Sequence, residues 1–258
     1  MKVIDLTQPL SVHTPPWPTY EPLQIKYFKR ISSVGANGQL ITTSHHVGTH
    51  MDGEIHFWNS CKARTIGQMP LEFFVGPAAV VDLSDISVDY GIYTPKDIES
   101  RVEVKKGDIL IIHTGYLKYA WYKDDGDEIR YMVCHPGPTM EFADWCIKKN
   151  IKWIGVDCGS ADHPMNTIIR KWRPEHAKKA DTYMRKKYKK SLEEIFPDEH
   201  YQLMHIKLFP KGIIHAENLG GDIEKVLNKR IVIGAFPLPF MEGESAQCRI
   251  VAFPDAKI

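Results

Sequence analysis

Eight short runs of apolar and β-branched residues recur along the chain, each bounded by turn residues: KVIDLT, QLITTSHHV, AAVVDL, DILIIHTG, IKWIGVDC, GIIHAENL, IVIGAF and CRIVAF. Runs this short read as strands. Helical character falls between them. TPKDIESRV opens with Thr94 and Pro95 placed as N-cap and first helical residue, and PTMEFADWCIKKN carries apolar residues at helical spacing with lysines near its end. Strands interleaved with helices predict an α/β or mixed α+β fold. A chain of 258 residues, 43% of them hydrophobic, can bury one sizeable core, and a single domain spanning residues 1–258 is expected. Residues 161–200 break the pattern: they are polar, and the basic KKADTYMRKKYKK is followed by acidic EE and DE. They read as an insertion with a helix in it.

Several function classes are disfavoured. A formal charge of +1 and a pI near 7.7 give no global attraction to nucleic acid or anionic lipid. Seven basic residues lie between Lys178 and Lys190, but the acidic residues behind them favour a solvated helix face over an anion- or RNA-binding surface. The opening MKVIDLTQPL lacks the apolar core of a signal peptide, and no run of about 18 apolar residues occurs. A cytoplasmic location is expected, with neither membrane nor nucleic acid as partner. The five cysteines, Cys61, Cys134, Cys146, Cys158 and Cys248, are scattered and never spaced as CxxC, so neither a disulfide framework nor a cysteine-rich zinc site is indicated. Without a G-x-G-x-x-G or P-loop motif, a nucleotide cofactor is unsupported.

The segment SHHVGTHMDGEIHFW, residues 44–58, packs four histidines, an aspartate and a glutamate around two glycines. His46, His50, Asp52 and His56 have even numbers, so a strand would point them to one face. A straight strand would also hold positions 46 and 52 roughly 20 Å apart, whereas a ligand reaches a metal over about 2 Å. If these side chains share a metal, the chain must bend among them, and Gly48 and Gly53 are the residues that permit it. Two imidazoles with a hard carboxylate suit zinc, manganese or iron and leave coordination positions open for water and substrate. His45 faces the other way and is expected to be structural.

Two further segments matter. HPGPTMEFADWCIKKNIKWIGVDCGSAD ends in a G-x-D-x-x-S-x-D pattern, and HIKLFPKGIIHAENL sets a histidine twelve residues before the glutamate of an E-N-L triplet. With HVGTHMDGEIH, which reads as H-x-G-T-H-x-D-x-P-x-H with Glu54 in place of proline, these segments resemble the cyclase-like metal-dependent hydrolases, a family that includes bacterial kynurenine formamidase and isatin hydrolase. The resemblance covers most of the chain. It implies a swivelling β/β/α fold, a first metal on His46, His50 and Asp52, and a second shared through Asp52 and completed by His205 and Glu217. The ions implied are Zn2+ or Mn2+, one or two per subunit. His56 would be the proton donor and acceptor, and Trp17, in TPPWPTYEP, would line the substrate pocket. The implied activity is hydrolysis of a C–N amide, an aryl formamide or cyclic amide, in a small aromatic substrate, with a metal-activated hydroxide as nucleophile. A homodimer or homotetramer is implied as well, with the N-terminal segment completing a neighbour's pocket.

Other readings stand beside this one. A lactone or cyclic-imide hydrolase of the same family is one, and a metal-binding module without catalysis is another; His56 discriminates the latter, because a closed structural site needs no spare proton carrier. Glu54 would tune a pKa, bind a third group or face water, and the last is expected because isolated glutamates are mostly exposed. His113 stands where the family commonly has arginine before Thr-Gly, either supporting the metal ligands or serving the fold. The 161–200 insertion is placed to act as a lid that sets specificity. Ser160 and Cys158 are weak candidates for nucleophiles, since no G-x-S-x-G elbow exists and a cysteine at a strand end is more often buried and inert. His163 and His176 have no ligand spacing to anything nearby.

Overall fold

The computed structural model describes residues 2–257. Its strands are β1 (Ile4–Asp5), β2 (Gln24–Lys29), β3 (Gly38–Thr42), β4 (His50–Asp52), β5 (Val75–Asp82), β6 (Ile109–His113), β7 (Trp153–Val156), β8 (Ile214–Glu217), β9 (Lys229–Pro237) and β10 (Ser245–Phe253). Eight form one sheet in the order β1-β10-β4-β8-β7-β6-β5-β9, and β10 also pairs with β9. That extra pairing closes seven strands into a barrel and removes the open edges that would otherwise invite aggregation. β5 to β8 run parallel to one another, and β4, β9 and β10 are antiparallel to their neighbours. The fold is therefore mixed α/β, as the alternation of strands and helices predicts.

The central parallel strands β6 and β7 are near-continuous apolar runs because both of their faces are covered, whereas β8, equally buried, carries His215 and Glu217. Every residue of β6, β7 and β8 is buried. One cover is the helix Met140–Lys149, which buries Phe142, Ala143 and Cys146 and stops at Asn150 in the left-handed conformation. The other expected helix is Pro95–Glu99, opened by a capping box between Thr94 and Asp97.

Two details differ from expectation. The run QLITTSHHV is strand only to Thr42. Its partner β2 is exposed along its whole length, so the hairpin has no buried face to impose an apolar alternation. The 161–200 region is not uniformly polar surface either: most of residues 161–169 are buried beside β7, and only the later helix, Pro174–Tyr188, projects its lysines and arginines to solvent while burying Ala180 and Met184. Among the described residues no helix is long and apolar enough to cross a membrane.

Candidate metal centre

β4 and β8 lie side by side, with His50 opposite Glu217 and Met51 opposite Ala216. Residues two apart on a strand share a face, so His50 and Asp52 point the same way and meet Glu217. His46 comes from the loop before β4. The chain turns at Gly48, whose φ of +68° lies in the left-handed region that side chains resist, and this brings His46 Nδ1 to 3.1 Å from His50 Nε2. Gly53 has an ordinary extended backbone and is small for another reason: a Cβ there would stand 3.1 Å from the Glu244 carbonyl oxygen. His205, on the short helix Leu203–Leu208, places Nε2 3.5 Å from Asp52 Oδ2 and 3.7 Å from Glu217 Oε1.

The hydrogen bonds fix which ring nitrogens are free. His50 Nδ1 donates to the Gly48 carbonyl at 2.9 Å, His46 Nε2 faces Glu244 at 2.9 Å, and His205 Nδ1 faces Asp162 Oδ2 at 2.6 Å. In each neutral imidazole the opposite nitrogen then carries a lone pair. Those three nitrogens converge on Asp52, which is fully buried and whose two oxygens have no hydrogen-bond partner. Nitrogens with their lone pairs face to face beside a bare carboxylate repel, unless a proton or a metal cation lies among them. The separations of 3.1 to 3.7 Å match donors sharing an ion at bonds of about 2.0–2.2 Å. The donor set suits a divalent metal. Each histidine ligand has the outer partner that normally orients such a ligand.

The electrostatics agree. Burial alone would raise Asp52, but His56, His205 and His46 around it hold its carboxyl well below the usual range. Burial and the Asp52 anion push Glu217 up to about 7. Burial lowers His50 to about 4, whereas at His205 burial is overcome by Asp162 and Asp52, which raise it to about 10. Two carboxylates that resist joint ionisation are what a bound cation relieves.

Above the metal donors opens a cavity of about 160 Å³ lined by Trp17, Tyr20, His46, His56, Phe57, Tyr201 and others. His56 Nδ1 is 2.7 Å from Glu244 Oε2, and Tyr20 stacks on His46 with ring centroids 4.4 Å apart. Ile168 and Gln202 also reach this cavity, so the region following β7 forms part of the wall. Trp17, His46, His50, Asp52, His56, His205 and Glu217 are thus all brought together.

Other residues fall elsewhere. Glu54 does not face water: it is 3% exposed and receives the Arg64 backbone N–H at 2.8 Å and its guanidinium at 3.0 and 2.5 Å. The expectation of an exposed glutamate fails because Glu54 is not isolated, its partner lying ten residues on. His113 serves the fold, with Nδ1 2.8 Å from Asp157 Oδ2, an oxygen that also takes the Gly115 N–H. The Ser160 hydroxyl donates to Glu217 Oε1 at 3.2 Å, and burial holds the Cys158 thiol well above its ordinary value, which suits neither to nucleophilic attack. His45 packs on Phe240. His163 Nδ1 accepts from the Met165 N–H, and His176 Nδ1 meets the Tyr90 hydroxyl at 2.6 Å.

Sequence reasoning gave no role to Asp162, Glu244 or His215. Asp162 closes the G-x-D-x-x-S-x-D pattern and needed only the inference that it holds His205. His215 is two residues before Glu217 on a strand, a spacing that puts both on one face. Glu244 sits in the loop MEGES, 198 residues from His46, with no local signal.

A sequence model of the family described as Putative cyclase matches residues 4–163, more than half of the chain. The chain belongs to the Cyclase family. Curated relatives of this Cyclase member include the kynurenine formamidase of Bordetella avium, 27% identical over 163 residues that cover 61% of this chain and 69% of that protein. The kynurenine formamidase of Geobacillus thermodenitrificans is 28% identical over 164 residues, covering 62% and 69%. Among solved structures, isatin hydrolase A from Ralstonia solanacearum has a TM-score of 0.75 at 20% identity, covering 97% of this chain and 91% of its own. An isatin hydrolase bound to the product analogue thioisatinate gives 0.75 at 20%, covering 98% and 93%. At those identities the structural likeness establishes the fold, and the expected family and fold class are both borne out.

Proposed function

We propose that this Cyclase member is a divalent-metal-dependent hydrolase that cleaves the C–N amide bond of a small aromatic compound, an aryl formamide such as N-formylkynurenine or a cyclic amide such as isatin. One observation carries the reading. Three imidazole nitrogens, from His46, His50 and His205, converge on the unpartnered Asp52 carboxylate at the floor of an aromatic-walled cavity that His56 also lines. Kynurenine formamidase relatives and isatin hydrolase neighbours support it.

His46, His50 and Asp52 would hold one ion, and Asp52, His205 and Glu217 a second; Zn2+ and Mn2+ both suit imidazole with carboxylate. Such an ion, when bound, lowers the pKa of water and polarises a carbonyl. The chain supplies the rest. Glu244 engages His56 Nδ1, which leaves Nε2 to take a proton from the attacking water and return it to the leaving nitrogen. Trp17, Tyr20 and Phe57 offer flat apolar walls for an aromatic ring. Tyr201 and Ile168 narrow the mouth from the other side and would restrict substrate size.

A homodimer or homotetramer belongs to the same proposal. The β2–β3 hairpin exposes Ile25 and Ile41 as a cross-strand pair on one face and Leu40 on the other, with Phe28 exposed as well, apolar surface suited to a second copy, and sedimentation at the 29.5 kDa of one chain would refute it. A cytoplasmic location is supported by five free cysteines, with Cys61 exposed, which suit a reducing compartment; export of a secretion reporter fused behind the chain's first residues would refute it. The activity is tested by following absorbance of N-formylkynurenine and isatin with protein as purified, after chelation, and after zinc or manganese is restored. Turnover that vanishes with chelator and returns with metal is expected; turnover indifferent to chelation would overturn the metal assignment.

A further inference from the structure

His215 is a buried imidazole to which the mechanism gives no role. It is 0% exposed, and neither ring nitrogen has a hydrogen-bond partner. Buried polar groups without partners are rare and call for an explanation. Packing explains only part of it: the ring meets His205 edge-on at 4.7 Å between centroids and Phe209 at 4.9 Å, contacts that a leucine or phenylalanine would make without leaving two nitrogens bare.

The strand register supplies the explanation. On β4 and β8, His50 stands opposite Glu217 and Met51 opposite Ala216. One step further, the same antiparallel register sets Asp52 opposite His215. Alternation leaves Met51 and Ala216 on the other face, so His50, Asp52, Glu217 and His215 form the corners of a square of donors on one face of two adjacent strands. Asp52, His205, His215 and Glu217 each offer one donor atom, all within 4.8 Å of one another, and all four residues are buried.

We infer that His215 is a fourth protein ligand of the second metal ion, closing that site with two imidazoles and two carboxylates. The inference rests on the proposed metal dependence and extends it. Four protein donors around the second ion form the closed set of a tightly held, structural ion. His46, His50 and Asp52 give the first ion only three protein donors and so an open position, while the cavity reaches both sites, at His46 and at His205 and Glu217. The two ions would then play different parts, the second being retained to fix Asp52 while the first exchanges ligands with substrate.

Metal counting tests this. Wild type and His215→Leu are stripped, reloaded with zinc or cobalt, dialysed against a weak chelator, and analysed for ions per chain by mass spectrometry and for the cobalt visible spectrum. Wild type is expected to keep two ions; His215→Leu, shown folded by circular dichroism, is expected to keep one, or to bind the second about 10–100-fold more weakly with an altered cobalt spectrum. Equal stoichiometry, affinity and spectrum in the two proteins would overturn the ligand role. Wild type that takes up no ion would instead overturn the metal dependence itself. Should the variant fail to fold, anomalous diffraction from metal-loaded wild type decides: a His215 nitrogen at about 2.0–2.2 Å from an ion supports the inference, and one beyond about 3 Å overturns it.

Discussion

Glu244 is the residue on which the candidate metal centre and the proposed proton carrier His56 both lean, and replacing it with glutamine isolates that role. Its carboxylate meets His46 Nε2 at 2.9 and 3.1 Å and His56 Nδ1 at 2.7 Å. Burial opposes its ionisation, but the two histidines hold it at about 2, so it is an anion at any working pH. Glu244→Gln keeps the shape and removes the charge. Two charge-assisted hydrogen bonds become neutral ones, a loss of roughly 1–1.5 kcal/mol for each bond when fully buried. The side chain is 36% exposed, so solvent screening reduces the total to roughly 1–2 kcal/mol. At 1.36 kcal/mol per tenfold, the expected fall in kcat is about 5–30-fold. Glu244 does not line the cavity, so KM is expected to stay within about twofold. The assay is initial rate by absorbance on the better of the two proposed substrates, with metal content measured on the same sample. Wild-type kcat in the variant would refute the positioning role. Loss of metal as complete as in His46→Ala would also refute it, by placing Glu244 among the ligands.

His56→Ala is expected to retain its metal and lose turnover by about 10²–10⁴-fold, and joint loss of metal and fold would favour a structural metal module instead. Glu54→Gln leaves the Arg64 guanidinium and backbone N–H facing a neutral amide, which should cost about 1–2 kcal/mol and lower the melting temperature by about 2–4 °C with metal content unchanged; an unaltered melting curve would contradict the buried pair. Burial pulls His113 down, yet Asp157 raises it above its ordinary 6.5, and despite burial His113 and Thr114 hold Asp157 below its ordinary 3.8. The aspartate's contribution to stability is present above 3.8 and lost on acidification; the histidine's is present below 6.5 and lost as pH rises through its raised value. The melting-temperature gap between wild type and His113→Gln should therefore peak between about pH 4 and 6.5, and a gap that stays flat to pH 9 counts against the pairing.

What the sequence revealed followed from how local each determinant is. The parallel strands announced themselves because full burial demands unbroken apolar runs such as ILIIH, and the two expected helices because Thr94 and the spacing of Phe142 and Cys146 are local signals. β4 was hidden in its own chemistry: three residues, two of them candidate metal donors, offer no apolar pattern. The β2–β3 hairpin was hidden for the opposite reason, having no buried face to impose one. Within the site, the spacing of 46, 50, 52 and 56 was readable because a bend at Gly48 and the turn Glu54–His56, on either side of the short β4, bring them together. Glu244 was not, since only the pairing of β10 with β4, Ser245 opposite Asp52, carries it there.

That pairing also bears on how the centre stays rigid without a metal's help. Asp52 is fixed from both sides, by β10 on one edge and β8 on the other, and each candidate histidine ligand is tied by its far nitrogen to a backbone carbonyl or a carboxylate: Gly48, two residues back, for His50, and the distant Glu244 and Asp162 for His46 and His205. Pre-orienting the rings lets ion binding spend little free energy on ordering side chains, because the folding of the barrel has already done so. The cavity walls are built on the contrary plan. Trp17 and Tyr20 come from the loop before β2, and Ile168, Tyr201 and Gln202 from the segment between β7 and β8, none of them in a strand. Substitutions there alter what enters without disturbing the donors, so a change at Ile168 or Tyr201 should move substrate preference while metal affinity stays where the strands set it.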